Sequence, residues 1–155
     1  PVLKKVNLNK IISRALQLYE LSETEINFAL MKIKSSNYID GDEEQLHRVF
    51  INLIKNSIES IHDKRNKNAD FKGKISVDIR DDNDYIYVAI VDNGVGFERV
   101  DKAKMITPYF TTKKKGTGLG LAVVTKIISD HNSLIAFNSI ANGAKVEITI
   151  PRYYD

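Results

Sequence analysis

Apolar residues recur at helical spacing from Leu8 onward, at Ile11, Ile12, Ala15, Leu16, Leu18 and Tyr19, and Asn7 stands where an N-cap belongs. This predicts a first helix. The pattern then changes to alternation at Ile26, Phe28 and Leu30, reaching Ile33 after one slip, which predicts a half-buried strand. A short extended piece around Tyr38 and Ile39 ends at Gly41. The most sustained helical period follows, through Leu46, Val49, Phe50, Leu53, Ile54, Ser57, Ile58 and Ile61. Asp42 and Gln45 open it in capping-box spacing, and it is expected to end near Asp63.

From Asp63 to Gly73 the chain is polar, basic and poor in apolar residues, as an exposed loop would be. Lys74 to Arg80 and Tyr85 to Val91 alternate again and read as antiparallel strands joined by Asp81-Asp82-Asn83-Asp84. After Phe97 a weak helical turn gives way to Thr, Lys and Gly without period, and Leu119 to Ser129 predicts another helix. Leu134 to Asn138 and Ala144 to Ile150 close the chain as a hairpin around Asn142-Gly143. The order of elements predicts a two-layer α/β sandwich, a mixed sheet with about three helices on one face.

Composition narrows the class. At 155 residues the chain is the size of one domain with a real core. There is no cysteine, so any metal must sit on oxygen or imidazole ligands. Apolar runs fall far short of the roughly 20 residues that span a bilayer, and no signal peptide opens the sequence, so a cytoplasmic piece without membrane contact is expected. Because it opens on Pro1 rather than Met, it is expected to be part of a longer protein. A net charge of +3 is a mild basic excess. The basic group Lys64, Arg65, Lys67, Lys72 and Lys74 has only Phe71 interleaved, which does not make a nucleic-acid site.

Asn52 and Asn56 lie four residues apart on the long helix and so project from one face. Two amides there are either ordinary polar edge residues or ligands, and the Asn56 oxygen suits Mg²⁺, which takes its remaining ligands from water and phosphate. Asp92 ends an apolar strand, where a half-buried carboxylate needs a donor such as the exocyclic amine of adenine. Gly94 and Gly96 then permit unusual backbone angles and close approach of a flat base, although Asp-Asn-Gly is also a common turn. A second cluster, Gly116-Thr117-Gly118-Leu119-Gly120-Leu121, opens directly into a helix and presents free backbone N–H groups to an anion. Its GxGxG spacing is not the Rossmann fingerprint, and no Walker lysine follows it. Lys113, Lys114 and Lys115 beside it suit a polyphosphate or simply a solvated loop.

Taken together these segments resemble the GHKL ATP-binding superfamily, most closely the catalytic domain of sensor histidine kinases. Asp42 to Ile61 resembles its N box, Val91 to Phe97 its G1 box, Thr107 to Lys113 its F box and Gly116 to Leu121 its G2 box. The Phe110-Thr111-Thr112-Lys113 wording and the Pro1-Val2-Leu3-Lys4 opening are similar to the nitrogen-regulation branch, the NtrY type. The resemblance implies a Bergerat-type pocket for ATP and Mg²⁺ formed by a single catalytic domain over residues 1–155. In it Asp92 reads adenine, Asn56 holds the metal, and Gly94, Gly96, Gly116, Thr117, Gly118, Leu119 and Gly120 line the nucleotide. Thr111, Thr112 and Lys113 belong to a lid over residues 98–117. Asn52, Asn56 and Lys113 stand at the chemistry.

The resemblance also implies partners. The phosphoacceptor His of such kinases sits in a dimerisation domain, which is expected to precede residues 1–22 and their helix, and a homodimer and a response regulator complete the system. His47, His62 and His131 do not match the acceptor motif; the first two read as surface residues and His131 as a polar residue at a helix C-terminus. Superfamily members that hydrolyse ATP, such as gyrase B, carry a Glu one turn before the metal-binding Asn. Here that position is Asn52, whose amide is no general base, so phosphoryl transfer to a protein side chain is expected instead of hydrolysis. The alternatives are a stand-alone anti-sigma-factor serine kinase, or an interaction module that no longer binds ATP, against which Asn56, Asp92 and the retained glycines speak.

Overall fold

The computed structural model describes residues 1–97 and 120–154. Its main layer is a five-stranded sheet of β2 (Ile26–Lys32), β4 (Gly73–Asp81), β5 (Tyr85–Asp92), β6 (Leu134–Ile140) and β7 (Gly143–Pro151), in the order β2-β4-β5-β7-β6. β2 and β4 run parallel and the other pairs antiparallel. A parallel pair needs a long crossover, and the chain supplies one through β3 (Tyr38–Gly41) and α2 (Glu43–Lys67). β3 pairs with β1 (Lys4–Asn7) in a small separate sheet.

Alternation decides which face is buried. Ile75, Val77 and Ile79 of β4, Ile86, Val88 and Ile90 of β5, and Val146, Ile148 and Ile150 of β7 are all buried; Val77 stands opposite Ile90 and Ile90 opposite Val146, while Ile75 is registered with Asp92. Among the described residues, three helices cover that face. α1 (Leu8–Glu20) lies along β2, α2 crosses β4 and β5, and α3 (Gly120–Asp130) touches β6. Leu46, Val49, Phe50, Leu53, Ile54 and Ile61 of α2, each 2% exposed or less, form the centre of the core. Among the described residues, no helix is long and apolar enough to cross a membrane.

The N-caps follow the sequence reading, but the capping box is only half formed, because the Asp42 N–H donates to His131 Nε2 and not to the Gln45 side chain. Asn7 accepts a bond from the Asn9 N–H, and Asp42 accepts one from the Gln45 N–H. The largest differences are one helix end and one strand. α2 runs to Lys67, one turn past Asp63, because its last turn is tethered: Lys64 bonds the Asn93 carbonyl and Arg65 pairs with Glu25. Cations there also complement the helix dipole. The expected loop after Asp63 therefore begins only at Asn68. The strand β1 was not anticipated, since Lys4-Lys5-Val6-Asn7 buries only Val6 and shows no period.

Candidate functional site

Asn52, Asn56, Ser60 and Lys64 follow one another at four-residue spacing on α2, so they form a stripe that winds slowly around the helix. All four are half-buried. The C-terminal half of the stripe grips the loop that leaves β5. The Ser60 carbonyl accepts a bond from the Val95 N–H at 3.3 Å, and its hydroxyl accepts one from the Gly96 N–H at 3.4 Å. One turn on, Lys64 Nζ donates to the Asn93 carbonyl at 3.1 Å while lying 4.6 Å over the Phe71 ring centroid. Asn56 stands one turn before Ser60, and Asn52 one turn before that.

Asp92 closes β5 and is 5% exposed. Its Oδ1 accepts the Gly94 N–H at 2.9 Å, a two-residue turn that fixes the orientation of the carboxylate. A carboxylate at this depth must be met by donors. The next residue anchors the turn from the other side. Asn93 Oδ1 accepts the Lys74 N–H at 2.8 Å, Asn93 Nδ2 donates to the Lys72 carbonyl at 3.0 Å, and the Asn93 N–H donates to the Lys74 carbonyl at 3.3 Å. Read from sequence, Asn93 was only a turn former. Phe97, at the loop's end, meets Phe137 of β6 edge to face with ring centroids 6.2 Å apart.

The glycines have a reason beyond a ligand. A Cβ on Gly94 would lie 2.6 Å from the Ser60 carbonyl carbon, and one on Gly96, whose φ is +75°, would lie 2.6 Å from the Gly143 oxygen. Gly143 in turn lies so close to Asp92 that an added Cβ would stand 1.9 Å from the Asp92 oxygen. These are contacts of main chain on main chain. At least part of the glycine pattern thus seats the loop on α2 and on the β6–β7 hairpin, not only a base on the loop.

Gly120 opens α3, and a Cβ there would meet no described atom within 4 Å. Thr111, Thr112, Lys113, Gly116, Thr117, Gly118 and Leu119, together with the lid of residues 98–117, lie outside the described residues. Of the histidines, His62 is exposed and bonds Glu23 at 3.0 Å, and His47 is half-buried. His131 departs from expectation, for it is 5% exposed. Nothing in its local sequence signals burial, because the partner of its Nε2, the Asp42 N–H, lies 89 positions away.

Residues 41–154 match the family described as histidine kinase-, DNA gyrase B- and HSP90-like ATPase. The chain is 35% identical to sporulation kinase A of Bacillus subtilis over 151 residues, 95% of this chain and 23% of that protein. It is 39% identical to a putative NtrY-like sensor histidine kinase of Rickettsia conorii over 69% of this chain and 17% of that one. It thus spans about a quarter of the length of such relatives or less. Among solved structures, the catalytic domain of histidine kinase ThkA superposes with a TM-score of 0.83 at 29% identity, covering 97% of this chain and 95% of that one. ThkA in complex with the response regulator protein TrrA superposes at 0.80 and 27% identity, covering 97% of this chain and 42% of that one.

Proposed function

We propose a function for a chain that belongs to the histidine kinase-, DNA gyrase B- and HSP90-like ATPase family and is, within it, a histidine kinase ATP-binding catalytic domain: it presents ATP to a histidine on a separate dimerisation domain. Asp92 receives the exocyclic amine of adenine, and the main chain of Gly94 to Gly96 borders the base. Gly116, Thr117, Gly118, Leu119 and Gly120 cradle phosphate, and Thr111, Thr112 and Lys113 contribute further contacts to it.

The observation that carries the reading is the Asp92 carboxylate, buried at the end of a core strand and oriented by the Gly94 N–H. A side chain so placed, beside a loop clamped to the helix that bears Asn56, is built to recognise a donor.

Asn56 offers a neutral amide oxygen, a donor that suits Mg²⁺. Such an ion takes most of its remaining ligands from phosphate and water. Bound there, Mg²⁺ would neutralise charge on the phosphates. Asn52, one turn before, supplies no base, so water is left unactivated. The acceptor imidazole attacks the γ-phosphorus, an N–P bond forms as the bond to the bridging oxygen breaks, and ADP leaves. Onward transfer goes to an aspartate of a response regulator. The whole protein is proposed to be a homodimer and a membrane-anchored sensor with this domain in the cytoplasm.

Calorimetric titration with a nonhydrolysable ATP analogue, with and without Mg²⁺, tests the binding. Saturable binding that Mg²⁺ strengthens is expected, and no binding overturns the reading. Transfer is tested by adding a dimerisation domain and following acid-labile phosphohistidine. Acid-stable phosphoserine would favour a serine kinase instead.

A further inference from the structure

His131 directly follows α3, and its imidazole serves two helices. Nε2 accepts the N–H of Asp42, the N-cap of α2, at 3.0 Å, so Nδ1 carries the proton and donates to the Ile127 carbonyl at 2.7 Å. Gly41 lies beside the ring: a Cβ there would stand 2.6 Å from Leu46 Cδ1 and 3.3 Å from His131 Cδ2. The turn that delivers His131 is itself held. Asn132 adopts φ +53°, the Ser133 N–H donates to the Ile128 carbonyl at 3.0 Å, and Ser133 Oγ donates to the His131 carbonyl at 3.0 Å. Asp42 is equally occupied, its Oδ1 taking the Gln45 N–H at 3.2 Å and its Oδ2 the Val2 N–H at 2.9 Å.

Capping α3 does not require this arrangement, because carbonyls at a helix end can be satisfied by water or by a tightened last turn. What it adds is a directional link between α2 and α3. Their other contact is apolar, and apolar contact is non-directional. From Asp42 to Asn56 α2 is about 21 Å long, and from His131 back to Gly120 α3 is about 16 Å. A tilt of about 5° at the joint would therefore move Asn56 by about 2 Å, where about 1 Å of misplacement can already matter greatly.

We infer that His131 is a positioning residue for the nucleotide site: through its bond to Asp42 it sets the spacing and pitch of α2, which carries Asn56 and clamps the Asp92 loop, against α3, which opens at Gly120. This rests on the nucleotide-site reading above.

Two isosteres separate its bonds. His131→Gln carries its terminal amide where Nε2 stands and keeps an acceptor for Asp42, whereas His131→Asn carries its amide where Nδ1 stands and keeps only the donor to Ile127. At a temperature where both are folded, His131→Asn should bind the ATP analogue more weakly by a factor on the order of ten, the equivalent of one lost buried hydrogen bond, and His131→Gln should stay within about twofold of the parent. Equal affinity in all three, with lowered melting temperatures, would overturn the inference and leave His131 a helix cap. A loss shared by both variants overturns it too, since it would follow the Ile127 bond or the ring volume. Should His131→Asn not fold, Gly41→Ala crowds the same ring, and unchanged affinity in that variant overturns the inference. Amide spectra of the nucleotide-free protein keep this apart from the broader reading. Shifts at Asn52 to Ser60 and Gly120 to Val124 are expected in His131→Asn and not in His131→Gln, even if the parent binds no nucleotide; their absence counts against the joint alone.

Discussion

Gly94 sits against the main chain of Ser60, where a Cβ on the glycine would come within 2.6 Å of the serine's carbonyl carbon. Neither backbone can move cheaply, because Ser60 lies inside a helix and Gly94 follows a strand in the middle of the sheet. Gly94→Ala is therefore expected to cost about 2–3 kcal/mol and to lower the melting temperature by roughly 4–10 °C. Ser60→Ala, which removes only the 3.4 Å bond from the Gly96 N–H, should cost no more than about 1 kcal/mol. Denaturant titration of both variants checks the contrast. A mild Gly94→Ala would mean that the loop is not clamped as described.

Replacing Asp92 by Asn keeps an oxygen for the Gly94 N–H but faces the adenine amine with an amide. Mismatched buried polar groups cost about 1–3 kcal/mol, so affinity for the ATP analogue should fall roughly 5–150-fold while the melting temperature changes little. Calorimetry with ATP and GTP analogues in parallel reads this. Unchanged ATP affinity would remove Asp92 from the adenine site.

Asn56→Ala should act on the metal and not on the base. Affinity measured in excess chelator is expected to match the parent, whereas the gain on adding Mg²⁺ should disappear. A variant that loses metal-free affinity as well would place Asn56 against the nucleotide itself.

The acid limb of stability is expected to depend on Asp42. Bonds from the Val2 and Gln45 N–H groups hold its carboxylate below the ordinary aspartate value. A folded-state pKa that is depressed contributes stability above the unfolded value, and that stability is lost as pH falls through the folded value. Denaturation midpoints between about pH 5 and pH 2 should therefore fall less steeply in Asp42→Asn, which still caps α2 but carries no titratable group. Parallel curves would mean that Asp42 is not coupled to folding.

Much of the molecule was legible in one dimension. Ile75 to Ile79 and Ile86 to Ile90 alternate, Leu46 to Ile61 recur at helical spacing, and each pattern holds because one face of the element is buried. Asp42 and Asn7 announced their helices, since a cap is satisfied within three residues. Asn52 and Asn56 were legible as a pair for the same reason. Asn93 was visible as a turn residue, but its bonds to Lys72 and Lys74 were not, because those partners lie about twenty residues earlier on another strand.

The misread boundaries have the same origin. α2 continues to Lys67 because Glu25 and Asn93 hold its basic last turn, and β1 exists because β3 pairs with it. Neither partner is near in sequence. Gly94 and Gly96 were legible as places where the backbone can come close to something. For Gly94, Gly96 and Gly143 that something includes other backbone: Ser60 on α2, the Gly143 carbonyl and the Asp92 carbonyl.

By itself, then, the sequence determined most of the elements, the layer architecture and the family resemblance, and it singled out Asp92, Asn56 and the glycines as candidates, because periodicity, caps and short motifs are local properties of a chain. Only the tertiary structure decided that Ser60 and Lys64 clamp the loop carrying Asp92, and that His131 is buried to bond the cap of a helix 89 positions away. Those contacts join residues that share no period or motif, and each depends on where packing brings two backbones together.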